Sequence, residues 1–171
     1  ADVMEAAVLQ GGRIPLKQGV VAGLGAIISI GSGASVGREG PAVHIGASLA
    51  SSLGQRLKLS RSLSLTLLGC GVAAAVSASF NAPIAGAFFA LEVVIGHYAL
   101  SAFAPVVIAS VAGTIVARIH LGDFPAFVLG DFELVSFLEL PAFALLGVVC
   151  AAISVVFMRS ILLTRSVWQR T

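Results

Sequence analysis

The chain has 171 residues, of which 58% are hydrophobic and 11% charged, with a formal net charge of +2. Soluble domains carry about 25% charged residues, so a chain of mean hydropathy +1.04 cannot clothe itself in polar surface, and a bilayer is the solvent that suits it. The small, scattered charge excludes a nucleic-acid-binding surface, and Cys70 and Cys150 lie in apolar runs as small hydrophobes, with no Cys/His spacing for a metal.

The opening Ala1-Asp2-Val3-Met4-Glu5 has no initiator methionine and no basic segment leading into an apolar one. The far end is a basic stretch from Arg159 to Arg170 with no closing domain. A fragment of a longer membrane protein is expected. Apolar periodicity predicts helices at about 16–33, 41–57, 63–80, 83–95, 102–120 and 138–164. This is an all-α integral membrane class built from tilted and broken helices. A full span takes about 20 apolar residues, and several of these segments are too short or interrupted.

The first interruption, residues 31–41, reads Gly-Ser-Gly-Ala-Ser-Val-Gly-Arg-Glu-Gly-Pro between two apolar helices. Irregular backbone at membrane depth survives only when buried in protein or lining a cavity. Phe80-Asn81-Ala82-Pro83 makes a second break. Pro41 and Pro83 each open the adjoining helix, where proline is tolerated. Paired interruptions of this kind point to a transporter's binding site. Small residues crowd 73–79 and 82–90, as close helix packing requires. The loop 121–139 carries Asp123, Asp131, Glu133 and Glu139 without Lys or Arg, whereas Arg13 and Lys17 precede the first long helix. The positive-inside rule places both ends in the cytoplasm and the acidic loop outside. The loop 54–62, with Arg56, Lys58 and Arg61, does not fit that count cleanly.

Glu39 is the first candidate for function, because a carboxylate at membrane depth is expensive. It lies at the start of the helix that opens near Pro41, where unpaired amides and the positive end of the helix dipole attract anions. Two roles fit. Glu39 is a tethered anion that vacates an anion site by swinging away or by taking a proton, or it caps the helix and pairs with Arg38. The dipole's pull on a carboxylate is worth about 0.3–2 kcal/mol, and burial works against it. Gly31, Gly33, Gly37 and Gly40 let the backbone turn and bring amides close to an ion. A nucleotide-phosphate loop is the competing reading. The Gly-Lys-Ser/Thr ending it needs is missing. Glu92 is a second intramembrane acid, read as structural. Asn81 is read as satisfying loose backbone groups at its break, and His44 and His97 as packing or interfacial residues. No nucleophile–base pair stands out, so an enzyme is not expected.

The run Gly37-Arg38-Glu39-Gly40-Pro41 resembles the signature of the CLC chloride channels and chloride/proton exchangers. Its surroundings agree: Ile30-Gly31-Ser32-Gly33 before it, Val43-His44-Ile45-Gly46-Ala47 after it, then Ser79-Phe80-Asn81-Ala82-Pro83-Ile84-Ala85-Gly86 and Phe88-Phe89-Ala90-Leu91-Glu92. The opening Asp2 to Ala6 with Gly11-Gly12-Arg13 is similar to the stretch just after the family's first chloride-binding motif.

The resemblance implies two inverted repeats per subunit and a homodimer with one pore in each subunit. The helices here would match the fifth to tenth of that subunit, with those near 83–95 and 102–120 at the dimer interface and the loop 54–62 outside. It implies that Glu39 is the gating glutamate and that backbone amides around Gly37, Arg38, Glu39 and Gly40 form part of the anion path. Chloride and membrane lipid are the implied partners, with no cofactor and no metal, in a bacterial inner membrane. The family's first chloride-binding serine motif and its second half lie outside this sequence, so it is expected to be part of one transmembrane domain. At Val93 the family's exchangers carry a proton-accepting glutamate beside the position of Glu92, and its channels carry valine. That leans the reading to a voltage-gated chloride channel, with chloride/proton antiport as the alternative. A purely structural membrane segment is the alternative of another class.

Overall fold

The computed structural model describes residues 2–35, 37, 39–123, 136, 137 and 139–168. In chain order the helices are α1 (Asp2–Leu9), α2 (Leu16–Gly31), α3 (Glu39–Arg56), α4 (Arg61–Phe80), α5 (Pro83–Phe89) with a π-turn (Ala90–Ile95), α6 (Leu100–Leu121) and α7 (Glu139–Trp168). The chain divides into two units, the first holding α1 to α6 and the second α7. Among the described residues, three helices are long and apolar enough to cross a membrane: Arg61–Phe80, Leu100–Leu121 and Glu139–Thr164. At 1.5 Å per residue, the 20 residues of α4 reach about 30 Å, the thickness of a hydrocarbon core.

Within the first unit, α2 and α3 form an antiparallel hairpin. Gly19 lies against Ser48 and the carbonyl of His44, and Gly23 against Ile45. α3 then packs antiparallel on α4. At the crossing of Gly46 and Gly71, the carbonyl of each occupies the place a Cβ on the other would take. Such contact needs glycine on both helices. α4 and α6 run parallel: Gly69 is 3.5 Å by its virtual Cβ from Val106, and Gly113 packs on the backbone of Ala74. α5 and the π-turn run back between them, with Gly86 against Ala73 and Ser77. Leu68, Val72, Ala73, Ala90, Leu91 and Val106 are fully buried where these helices meet.

Buried hydroxyls in this unit find partners, as an apolar interior demands. Ser77 Oγ donates to the carbonyl of Ala73 at 2.6 Å and lies 2.9 Å from that of Ser110. Ser110 Oγ donates to the carbonyl of Pro83, in the first turn of α5. Thr114 Oγ1 donates to the carbonyl of Ser110 at 3.1 Å.

Several expectations need correction. α1 was not expected; it forms because Val3, Ala6 and Ala7 bury themselves in the core of the unit. The segment 83–95 is helical over its expected bounds but not α-helical throughout. It changes at Ala90 to a π-turn, in which the Gly96 N–H reaches back five residues to Leu91 at 2.8 Å, and it stops on left-handed Gly96 at φ 77°. The extra residue buries Leu91 and Val94 and leaves Glu92 and Val93 outward. α3 starts at Glu39 rather than Pro41, since proline is accepted anywhere in a first turn whose amides are unpaired. The loop 54–62 does not lie across the membrane from Arg13. The Ile14 N–H donates to Ser51 Oγ at 2.7 Å, and the Arg61 guanidinium donates to the carbonyl of Val8 at 3.2 Å. Arg13, Lys17, Arg56, Lys58 and Arg61 therefore gather at one face of the unit. The α4–α5 break and the end of α6 lie at the opposite face. Arg38, Asp131, Glu133 and Arg170 lie outside the described residues.

A side chain at Gly71 would have to displace both the Gly46 carbonyl and Ala50. Gly71→Ala is therefore expected to destabilise by about 1–3 kcal/mol, lowering the thermal midpoint of the detergent-purified protein on size exclusion. Gly25→Ala, where a Cβ meets nothing within 4 Å, should leave it unchanged or raised. Equal midpoints for the two variants would contradict the α3–α4 contact.

Candidate functional site

The site is made by the way α2 stops and α3 starts. α2 closes with the Ser32 N–H donating to Ile28 at 2.9 Å, and the chain turns on Gly33 at φ 91°. α3 begins at Glu39, seven residues before the Gly46 crossing. Glu39 thus stands about 10 Å along the axis beyond the point where α3 and α4 touch, towards the opposite face. The first turn of α3, starting at Glu39, presents the N–H groups of Glu39 and Gly40 without a carbonyl one turn earlier, and Pro41 has no N–H to present. Positive potential is concentrated there.

The Glu39 carboxylate folds back over this helix start. A Cβ built on Gly37 would land on Glu39 Oε2, so Gly37 leaves the space the carboxylate occupies. Glu39 also borders a cleft of about 390 Å³ that takes in Met4 of α1, His44 of α3, and Phe89 and Val93. Two of the residues singled out in the sequence, Glu39 and Val93, are therefore brought to one cavity, and Gly40 lies on its wall. Glu92 is not on that wall; the π-turn sends it away.

Asn81 does more than cap loose backbone. It closes α4 in the left-handed region at φ 54°, a conformation asparagine tolerates better than most residues. Its side chain accepts from Arg118 Nε at 2.7 Å and donates to Asp123 Oδ1 at 2.9 Å. Arg118 Nε lies 3.1 Å from the same Asp123 oxygen. These three tie the α4–α5 break to the end of α6. Pro83 takes the first position of α5 as expected.

Sequence reasoning passed over His44 as a packing residue. Its ring lies on the cleft wall, with Nδ1 and Nε2 both buried and without a hydrogen-bond partner. The available signal was a titratable side chain five residues after Glu39 on an otherwise apolar stretch of the same helix.

Broken apolar helices that bring a helix start and a carboxylate to a cleft are the architecture of an integral membrane protein. The chain belongs to the voltage gated chloride channel family, whose model matches residues 1–171. It is 35% identical over 145 residues to chloride channel protein CLC-f of Arabidopsis thaliana, covering 82% of this chain and 19% of that one. It is 34% identical over 150 residues to a putative chloride channel protein ClcB-like of Ralstonia nicotianae, covering 85% and 35%. It is 32% identical over 150 residues to the H(+)/Cl(-) exchange transporter ClcA of Salmonella arizonae, covering 86% and 32%. The matched region thus spans about a fifth to a third of these relatives. No solved structure gives a significant match.

Asn81→Ala loses the side-chain bridge and forces alanine into left-handed backbone. It should cost about 1–3 kcal/mol, read as a lower thermal midpoint of the detergent-purified protein. Asn81→Gly keeps the backbone at ease and should recover part of the loss. If glycine is as damaging as alanine, the backbone share of this account is wrong.

Proposed function

We propose that this chain is a segment of a longer membrane protein that moves chloride through a glutamate-gated pathway, and that Glu39 is the gate. The observation that carries the reading is the Glu39 carboxylate folded over the start of α3, above Gly37 and at the mouth of the cleft. A carboxylate there holds the position that a mobile anion is drawn to by the amides of Glu39 and Gly40 and by the helix dipole. While it is in place, the anion is excluded. When it swings out, or is neutralised by a proton, the position opens to chloride. The backbone around Gly37, Arg38 and Gly40 supplies the rest of the anion path. The work asked of the protein is passage of an ion, with no bond chemistry and no cofactor or metal.

Gated conduction is the leading form. Val93 supports it, since it presents an apolar side chain to the cleft where a proton-accepting acid would favour coupled exchange. Chloride/proton exchange is the second form, favoured by the likeness to a protein named as an H(+)/Cl(-) exchanger. The gathering of Arg13, Lys17, Arg56, Lys58 and Arg61 at one face argues that this face is cytoplasmic, in a bacterial inner membrane. The outer stripe of α6, with Ile108, Ile115 and Ile119 exposed, suits the subunit interface of a homodimer in the lipid, together with the 83–95 segment.

The test is chloride efflux and internal pH recorded together on the full-length protein in liposomes. Conduction predicts efflux with no proton movement beyond leak, and exchange predicts efflux that drives protons inward. Glu39→Ala should abolish gating in the first case and proton movement in the second, with chloride still passing. No chloride flux from the wild type would contradict the substrate, and gating untouched in Glu39→Ala would contradict the gate.

A further inference from the structure

We propose that His44 relays the proton that neutralises Glu39, an inference that rests on reading Glu39 as the gate. Among the described residues, His44 is the exception to a well-satisfied interior. Ser48, Ser51, Ser77, Ser110 and Thr114 are buried and hydrogen-bonded. Both ring nitrogens of His44 are buried with no partner. Burying a polar group without a partner is costly, and phenylalanine or leucine would fill the same place at no such cost. The unpaired ring belongs to a residue on the wall of the cleft that Glu39 also borders.

The cleft fixes what that group can serve. It is bordered by α1, α2, α3 and the α5–π segment, and among its lining residues Glu39 and His44 are the ionisable ones. Glu5 on α1, Lys17 on α2 and Glu92 on the π-turn do not line it. Val93, further along the same wall, cannot carry a proton. His44 comes five residues after Glu39, a rise of about 7.5 Å along α3. It lies on the side of Glu39 that faces down the cleft, while the carboxylate now points the other way, over Gly37.

Imidazole is suited to this task because one ring nitrogen can accept a proton while the other gives one up. His44 takes a proton from hydronium arriving along water from the basic face, releasing water, and becomes an imidazolium. It then donates its other N–H proton to the Glu39 carboxylate as that side chain swings into the cleft. Glu39 becomes a neutral acid, His44 returns to neutral imidazole in the other tautomer, and the anion position at the start of α3 opens. One proton enters and one carboxylate is neutralised. The relay would serve a proton-opened channel and an exchanger alike, and it supplies a titrating group to a cleft that has valine at position 93.

The test measures chloride efflux from liposomes holding the full-length protein after an acid step on the side of the basic face. With Glu39 present, His44→Phe should slow the rise in efflux on the order of 100-fold. His44→Gln, which keeps hydrogen bonding without titrating, should slow it similarly. In a Glu39→Gln background, which mimics the neutral gate, His44→Phe should leave efflux unchanged. An undiminished acid response in either His44 variant overturns the relay. Slowing of the Glu39→Gln protein by His44→Phe overturns it too, by assigning His44 to the anion path or the fold. If Glu39→Gln itself fails to open the pathway, the gate reading falls and the relay with it. An open Glu39→Gln beside a normal His44→Phe sinks the relay alone.

Discussion

The close approach of α3 and α4 at Gly46 and Gly71 is the contact on which the first unit depends. Carbonyls lie where side chains would stand, so the two backbones meet without intervening bulk. In a membrane, where apolar surface gains nothing by leaving lipid, van der Waals packing of this closeness is what drives helices together. It also fixes the height of α3 against a helix long enough to span. With that height set, the start of α3 stands about 10 Å along the axis from the crossing, beside the second half of α4.

From that placement the remaining features acquire their purpose. α2 must stop short and turn on Gly33, because a continuing helix would bury the start of α3. The π-turn after α5 rotates the chain by one residue, which lays Val93 on the cleft wall and turns Glu92 away from it. The Asn81–Arg118–Asp123 bridge holds the second break to the end of α6, so both interruptions are anchored by packing or polar contact. The result is one wall of long packed helices, α4 with α6, and one wall made of helix ends that carries the Glu39 carboxylate.

Much of this was legible in the residues. The apolar runs of α4 and α6 are long enough to be read by length alone, and the glycines and Pro41 around Glu39 announce a break and then a helix start. α1 was not legible: eight residues have little helical tendency of their own, and Val3, Ala6 and Ala7 are buried in the core that receives them. The π-turn was invisible because 83–95 is apolar but for Glu92, and a shift of one hydrogen bond leaves no mark on periodicity. The charge count and the resemblance put Arg13 and the loop 54–62 on opposite sides, and the contacts of Ser51 and Arg61 with the α1–α2 connection show that they share a face. His44 was missed because a lone histidine on an apolar helix is most often packing. Its distinguishing feature, two buried nitrogens with no partner, exists only in three dimensions.

The central claim is that the Glu39 carboxylate and a free anion compete for one position at the start of α3. The most direct measurement is anomalous diffraction from crystals of the full-length protein grown in bromide, comparing the wild type with Glu39→Gln. The account predicts a bromide peak beside the amides of Glu39 and Gly40 in the variant, at the place the wild-type carboxylate fills. A variant structure with the glutamine displaced and no bromide at those amides would contradict it.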